Sequence, residues 1–327
     1  MRSRTGLGIR TARSDPAMSE RHLTLKVDVD TLRGTLEGVP RQLDLFDRHH
    51  ITATFLFSLG PDHTGRAIKR ALRPGFFSKV KRTSVVEHYG IKTLLYGTLL
   101  RGPDIGLRGT AILRETRKRG HEVGIHTWDH TLWQDHVRDS SARWTWQQMG
   151  RAYRRFGDLF GAPPSTHGAA GWQMNDDALR QLDTWGMRYA SDGRVADDEV
   201  ERGAFRPYVG GRVLDCIQIP TTLATLDELI GIEDRDAIGA ADALLAATVE
   251  SRFDEVFTLH AELEGMKLIA AFERLIAGWK EQGFALGTLA EAYARLDPVS
   301  VPLRTWRWGA IEGRSGEVML TGGRAAR

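Results

Sequence analysis

The sequence predicts an α/β fold: a distorted (β/α)7-type barrel in which about seven strands alternate with helices and close, or nearly close, on themselves. Three observations carry this. Short strand-like segments alternate with amphipathic helical segments along most of the 327 residues, the order that builds a parallel sheet with helical crossovers. Polar residues able to do chemistry recur where those strands end, as they do at the C-terminal face of a barrel. No Gly-rich dinucleotide fingerprint follows a strand, so the open doubly wound sheet has nothing specific in its favour.

The first strand begins at His22, where Leu23, Leu25, Val27 and Val29 alternate with polar residues until Asp28 and Asp30 finish the run. A helix is expected from Val39 to His49, and the apolar run Ile51 to Phe57 reads as the second strand. The helix Gly109 to Arg119 leads into a third strand, Glu122 to His126. Then come a helix (Trp144 to Phe160), a strand-like stretch (Thr166 to Ala170), a helix (Asp176 to Trp185) and a short strand ending at Ser191. The second half continues with a strand (Val213 to Ile219), a helix (Ala237 to Arg252) and a strand from Glu255 to Leu259 that ends at His260. A helix (Met266 to Gln282) and a last strand (Phe284 to Gly287) complete the series.

Three regions fall outside this rhythm. Residues 1–18 are Arg-rich without an apolar core and read as a disordered leader, with Met18 an alternative start. From Gly60 to Gly106 a long insertion interleaves apolar and basic side chains at helical spacing; between His63 and Arg101 it holds nine Lys or Arg residues against Glu87 alone. A surface helical excursion explains that pattern, and so does an amphipathic element on an anionic membrane surface, with Arg66, Lys69, Arg70, Phe76, Phe77, Lys79, Lys81 and Arg82 as the candidate contacts. The third region, 299–327, is a C-terminal extension without an assigned role. The barrel domain is placed at 19–298.

Composition narrows the chemistry. With 41% hydrophobic and 27% charged residues the chain is that of a globular protein. The balance of 45 basic against 42 acidic side chains argues against a nucleic-acid partner. Cys216 is the single cysteine, which excludes disulfide frameworks and Cys-rich zinc modules and leaves imidazoles and carboxylates as candidate ligands. No apolar run approaches the ~18 residues that span a bilayer.

Asp28, Asp30, His126, His130, His167, Asp192 and His260 all fall at predicted strand ends, so a barrel would gather them. His126 and His130 are four residues apart, on one face if the segment is helical, a spacing able to chelate one metal ion. With Asp30 they make a two-His, one-carboxylate site with open positions. Asp28 is then a candidate general base and His260 a candidate general acid, oriented by Asp192 or another carboxylate. The bland readings are a capped turn for the two acids and a structural role for His260.

The set Asp28-Val-Asp30, Gly124-Ile-His126-Thr-Trp-Asp-His130 and Leu259-His260 resembles the motif series of the polysaccharide deacetylase (NodB-homology) family over about Arg21 to Pro298. The resemblance implies a distorted barrel and metal-dependent hydrolysis of an N-acyl amino sugar. By position it makes Asp28 the base, His260 the acid, and Asp30, His126 and His130 the ligands of one divalent ion (Mn, Co or Zn). The segments Gly60 to Arg66, Ala169-Ala-Gly-Trp-Gln173, Tyr189 to Arg194, Gln218-Ile-Pro220 and His260 to Gly265 are similar to a narrower group of bacterial deformylases. That likeness implies release of formate from a formamido-arabinose linked to undecaprenyl phosphate, at the cytoplasmic face of the inner membrane, for lipid A modification and polymyxin resistance. The rival expectations are a general N-deacetylase of amino sugars and a noncatalytic sugar-lipid binder. Two departures from the family pattern stand out. Val29 separates the two acids, and Thr166-His-Gly-Ala-Ala-Gly-Trp172 replaces the usual Arg-x-Pro motif, with His167 the candidate substitute for the arginine. His167, Trp172 and Asp192 are the expected supporting or substrate-binding residues.

Overall fold

The computed structural model describes residues 21–67, 90–196, 202–314 and 316–325. The expected leader, and Lys69, Arg70, Phe76, Phe77, Lys79, Lys81 and Arg82 of the expected membrane-facing set, lie outside the described residues.

In chain order the elements are β1 (Arg21–Val29), α1 (Val39–His49), β2 (Thr54–Ser58), α2 (Ile91–Leu95), α3 (Ile105–Arg108), α4 (Thr110–Lys118) and β3 (Glu122–Thr127). They continue with α5 (His130–His136), α6 (Ala142–Phe160), α7 (Asp176–Thr184), β4 (Tyr189–Ala190), β5 (Arg206–Val209), β6 (Arg212–Val213) and β7 (Ile217–Gln218). Last come α8 (Leu226–Leu229), α9 (Ala237–Val249), β8 (Glu255–His260), α10 (Ile269–Glu281), β9 (Phe284–Gly287), α11 (Leu289–Arg295), β10 (Leu303–Ala310) and β11 (Glu317–Arg324).

The central sheet runs β3-β2-β1-β8, all parallel. Along β1, residues Leu23 to Asp28 pair with β8, while Lys26 to Val29 pair with β2 and Arg21 to Thr24 with β9. Because a strand has two edges, β2 and β9 share the one opposite β8. The ring then closes through shorter pairings: His167 bridges Ile125 of β3, Ser191 N–H donates to His167 O, β4 pairs with β7, and Thr222 N–H donates to Val256 O of β8. The sheet is thus a barrel whose far side is reduced to strands of one or two residues.

Parity along β1 sets the interior. Leu23, Leu25, Val27 and Val29 belong to the core between strands and helices, which also contains Phe46, Phe55, Phe257, Phe272 and Trp279. The alternate residues Thr24, Lys26 and Asp28 are also buried, so both faces of the strand are covered, as in parallel sheets generally. Side-chain caps set several helix starts, including Asp129 on α5, Asn175 on α7 and Asp236 on α9.

Three expectations need correction. Thr166 to Ala170 is not a strand: only His167 bridges, because the chain turns at Ala170–Trp172. Val213 to Ile219 splits into β6 and β7, with Leu214, Asp215 and Cys216 between them. The extension after Pro298 is regular, an antiparallel hairpin of β10 and β11 fixed to the barrel by Arg194 N–H to Met319 O and Thr321 N–H to Arg194 O. In the described parts of the insertion, only the short turn Thr64–Ala67 and the helices α2 and α3 are regular.

One buried imidazole couples this core to pH. The His121 ring lies against Phe46 and Phe55, at centroid distances of 5.5 and 5.2 Å, and its Nδ1 accepts the Ala53 N–H. Burial pulls it down to about 4 from an ordinary 6.5, with Asp47 opposing in part. The unfolded chain takes up a proton here below about pH 6.5 that the folded protein refuses until about pH 4. This contribution is therefore whole above pH 6.5 and is lost as pH falls towards 4, at about 2 kcal/mol between pH 7 and pH 5. A His121→Gln variant, which keeps an acceptor for Ala53, should lose about 2 kcal/mol less than the parent over that interval in urea unfolding. Equal losses would contradict the assignment.

Candidate active site and metal centre

Three ionisable residues follow one another on the inner side of β1 and just past its end. Lys26, Asp28 and Asp30 are 0%, 2% and 8% exposed. Asp28 Oδ2 is 3.3 Å from Lys26 Nζ, and its Oδ1 is 3.7 Å from His126 Nδ1. The register of β1 and β8 sets Asp28 directly beside His260.

Asp30 holds the centre of a second group. Its Oδ1 is 3.2 Å from His126 Nε2 and its Oδ2 is 3.4 Å from His130 Nε2. One ligand atom from each of the three residues lies within 4.8 Å of the others. The two histidines do not share a helix face: His126 stands on β3 and His130 is the first residue of α5, and a strand-to-helix turn brings their rings to 5.3 Å. Asp129 fixes that turn, its Oδ1 accepting the Leu132 N–H while its Oδ2 meets His63 Nδ1 at 2.6 Å. His126 Nδ1 lies 2.7 Å from Gly168 O. A carbonyl can only accept, so Nδ1 carries the hydrogen and Nε2 is turned towards Asp30.

These groups fit a cation. Asp30 Oδ1 and His126 Nε2 are buried without a hydrogen-bond partner. Burial pushes the Asp30 carboxyl up, yet His130 and His126 pull it well below the usual carboxylate range. Burial pulls His126 down, but Asp28 and Asp30 hold it above its ordinary value. Both directions describe one preference, for positive charge between the carboxylate and the imidazoles, which a proton or a divalent ion satisfies.

His260 sits at the end of β8. Its N–H donates to Glu264 Oε2 at 2.7 Å, its Nδ1 is buried without a partner, and its ring meets the Trp172 indole edge to face at 6.5 Å. Burial pulls this imidazole down, but Asp30, Asp227, Glu264 and Asp28 together hold it above its ordinary value. In the same turn Glu262 Oε1 accepts from Asp30 N, Thr31 N and Thr31 Oγ1. It ties the first loop of the barrel to the last.

His167 and Asp192 do not join this group. His167 bridges Ile125, whose side chain belongs to the core outside the barrel, and its Nδ1 meets Asp192 Oδ1 at 2.6 Å. Gln218 Nε2 donates to the other Asp192 oxygen, which closes a buried network of its own. The cation beside Asp28 is Lys26. Trp172 is at the site but is 1% exposed, with Arg314, Arg194 and Lys26 lying 4.4, 4.8 and 5.3 Å from its ring, so it packs cations and has no free face for a sugar. Arg66, expected on a membrane-facing surface, donates from Nε to Gly97 O within the fold.

Sequence reading passed over Lys26, Gly168, Glu262 and Glu264. For Lys26 the signal was present, since period two from Asp28 and Asp30 puts it on their face. The two glutamates lie in the His260 to Gly265 segment, but nothing in their order tells a carboxylate that braces a loop from one that faces solvent.

Comparisons with known proteins bear on the family and the fold. The polysaccharide deacetylase family model matches residues 17–190. A Shewanella sediminis (strain HAW-EB3) protein named "Probable 4-deoxy-4-formamido-L-arabinose-phosphoundecaprenol deformylase ArnD" is 36% identical over 302 residues, 91% of this chain and 95% of its own. The Wigglesworthia glossinidia brevipalpis protein of the same name is 29% identical over 86% of this chain and 96% of its own. Among solved structures, a Mycobacterium smegmatis protein described as a polysaccharide deacetylase superposes with a TM-score of 0.61 at 16% identity, covering 94% of this chain and 100% of that one. The last likeness speaks for the fold alone.

Gly168 is where the site leaves no room. A Cβ there would stand 2.2 Å from Leu56 Cδ1 and 2.9 Å from Lys26 Cε. Gly168→Ala should destabilise the protein by about 1–3 kcal/mol through overpacking. Gly157→Ala on α6, where a Cβ meets nothing within 4 Å, should be neutral or stabilising. Urea unfolding of both variants checks the contrast.

Proposed function

The chain belongs to the polysaccharide deacetylase family, and from that premise we propose that it hydrolyses the N-formyl group of 4-deoxy-4-formamido-L-arabinose-phosphoundecaprenol. The products are formate and the free 4-amino sugar on its lipid carrier, the step that supplies aminoarabinose for lipid A modification and polymyxin resistance. The observation that carries the reading is the pairing of Asp28 with His260 across β1 and β8, beside the cluster of Asp30, His126 and His130.

Asp30, His126 and His130 would hold one divalent ion; two imidazoles and a carboxylate suit Mn, Co or Zn. When bound, such an ion supplies Lewis-acid polarisation to an amide carbonyl. The remaining work falls to the chain's own groups. Asp28, held by Lys26, takes a proton from the attacking water as the water oxygen bonds to the formyl carbon. His260, whose hold on a proton the surrounding carboxylates strengthen against burial, gives its proton to the sugar nitrogen. The C–N bond then breaks, releasing formate and the amine. Buried surroundings keep the charges of the base and the acid strong where the tetrahedral intermediate forms.

The lipid carrier places this chemistry beside a bilayer, and we propose that the region from α2 to α3 meets it. Among the described residues no helix is long and apolar enough to cross a membrane. Ile91, Leu99, Leu100 and Leu107 are exposed together with Lys92, Arg101 and Arg108. A groove of about 860 Å³ lined by Pro61, His63, Tyr96, Arg101 and Trp128 lies between them and the turn carrying His130.

Two measurements test these readings. Purified, metal-supplemented protein should release formate from the lipid-linked substrate, and chelation should abolish release until a divalent ion is restored. Asp28→Asn and His260→Ala should each lower kcat by about 10²–10⁴. Retained turnover in either variant, or faster hydrolysis of an N-acetyl amino sugar, would overturn the assignment. In vesicle sedimentation, reversing Lys92, Arg101 and Arg108 to Glu should weaken binding to anionic liposomes at least about tenfold, at roughly 1 kcal/mol per charge. Undiminished binding would place the contact elsewhere.

A further inference from the structure

The C-terminal hairpin reaches the mouth of the site. Gly313, at φ +76° in the turn between β10 and β11, is so close to α8 that a Cβ would stand 2.3 Å from Glu228 O. This approach delivers Arg314, whose guanidinium carbon lies 4.4 Å from the centroid of the Trp172 ring. Arg194, 3% exposed, stands 4.8 Å from the same centroid. Trp172 takes a positive φ of 53°, which a bulky residue adopts only when its surroundings hold it there. Its Nε1 donates to Thr221 Oγ1, which fixes the indole between the two arginines and His260.

The charges around these arginines are unevenly matched. Glu228 engages Arg194 through both oxygens, at 2.8 and 3.2 Å, and also accepts the Thr225 N–H. Arg314 is left 3.7 Å from that same carboxylate, too far for a hydrogen bond. Arg194 Nε is buried without a partner. Asp227, bonded by Thr225 Oγ1, is the other carboxylate whose charge reaches Arg314 besides Glu228 and Asp30. Burial pulls the Arg314 guanidinium below its ordinary value, against those three acids. A largely buried guanidinium with five donors and, among the described residues, no acceptor within hydrogen-bond reach is built to receive an oxyanion.

We propose that Arg314, braced by Trp172, Arg194 and Glu228, binds the phosphodiester of the substrate. The inference rests on the deformylase reading and names the group by which the lipid-linked sugar is recognised. In a 4-amino pentopyranose the C1 phosphate and the C4 nitrogen lie across one sugar ring. Here one indole separates Arg314 from His260, the group placed to protonate that nitrogen. The family match ends at residue 190, so Arg194 and Arg314 both lie beyond it.

The test compares metal-loaded parent, Arg314→Gln and Arg314→Lys on two substrates: the formamido-arabinose phosphodiester and a phosphate-free methyl glycoside of the same sugar. The preference for the phosphodiester, as a ratio of kcat/KM values, should fall about 10–100-fold in Arg314→Gln, the weight of one charge-assisted hydrogen bond. The loss should appear in KM, and Arg314→Lys should restore part of it. Inorganic phosphate should inhibit the parent more strongly than the Gln variant, whereas weaker inhibition by a lipid phosphate alone would assign the loss to the lipid headgroup. Equal losses on both substrates, or a lowered melting temperature in the Lys variant without a change in preference, would make Arg314 a structural residue and overturn the proposal. If the parent turned over neither substrate, the deformylase reading would fall. Calorimetric titration with an arabinosyl methyl phosphodiester would still decide whether Arg314 binds the anion.

Discussion

The constraint on which the rest of the structure depends is the burial of Lys26 and Asp28 on one face of β1 and of Asp30 just past its end. Removing one partner from a buried ion pair costs about 3–5 kcal/mol, so a stretch with three such residues is tolerable only when its neighbours answer every charge. Lys26 answers Asp28 on the strand itself, and β3 and α5 bring the imidazoles that answer Asp30. Gly168 leaves no room for a Cβ because Leu56 and then the Lys26 side chain pass it, and its carbonyl orients His126. The parallel order of β2, β1 and β8 serves the same end, since it sets all the strand ends on one side.

The turn after β8 shows how negative charge is kept within bounds. Burial and the neighbouring Asp30 push Glu262 up to about 8, so near neutral pH it holds its proton while it accepts the N–H groups of Asp30 and Thr31. Burial likewise pushes Glu264 up to about 7, with the His260 charge opposing. A fully ionised set of Asp28, Asp30, Glu262 and Glu264 would overwhelm Lys26 and the imidazoles. Two of the four are held close to neutrality by the burial that makes them rigid, which limits the negative charge gathered around Lys26 and the imidazoles.

Legibility in the sequence followed periodicity and failed where strands become too short to have any. The bounds of α1 and β9 could be read directly, because an amphipathic helix or an apolar strand repeats its signal over several residues. On the far side of the barrel one or two residues make each pairing, and parity cannot be assigned from so few. His167 shows the consequence: the strand expected around it is a single bridge to Ile125, and its imidazole meets Asp192 and not Asp28. The spacing of His126 and His130 correctly put them near each other, though a helix was the wrong scaffold to expect. The hairpin of β10 and β11 was missed because its alternating positions carry Arg and Trp in place of a plain apolar and polar pattern, its partly exposed tryptophans packing edge-on or under arginines, as Trp306 does on Phe205 and Trp308 beneath Arg138.

That hairpin also bears on how a widely shared barrel becomes selective. The proposed catalytic groups up to His130 lie within the segment that matches the family, while the loop containing Glu228, the turn after β8 and the hairpin lie beyond it. Glu228 belongs to both layers: through Arg194 it braces Trp172 beside His260, and through the close approach of Gly313 it sets the height of the hairpin turn. Groups that must be precise to perform hydrolysis are held by the sheet, where a register shift would move every residue to the other face. The arginines proposed to recognise the phosphodiester instead gather around Glu228, Arg194 on its carboxylate and Arg314 at 3.7 Å from it. A substitution at Arg314 would therefore change how the phosphodiester is recognised while the register that sets Asp28 beside His260 stays in place.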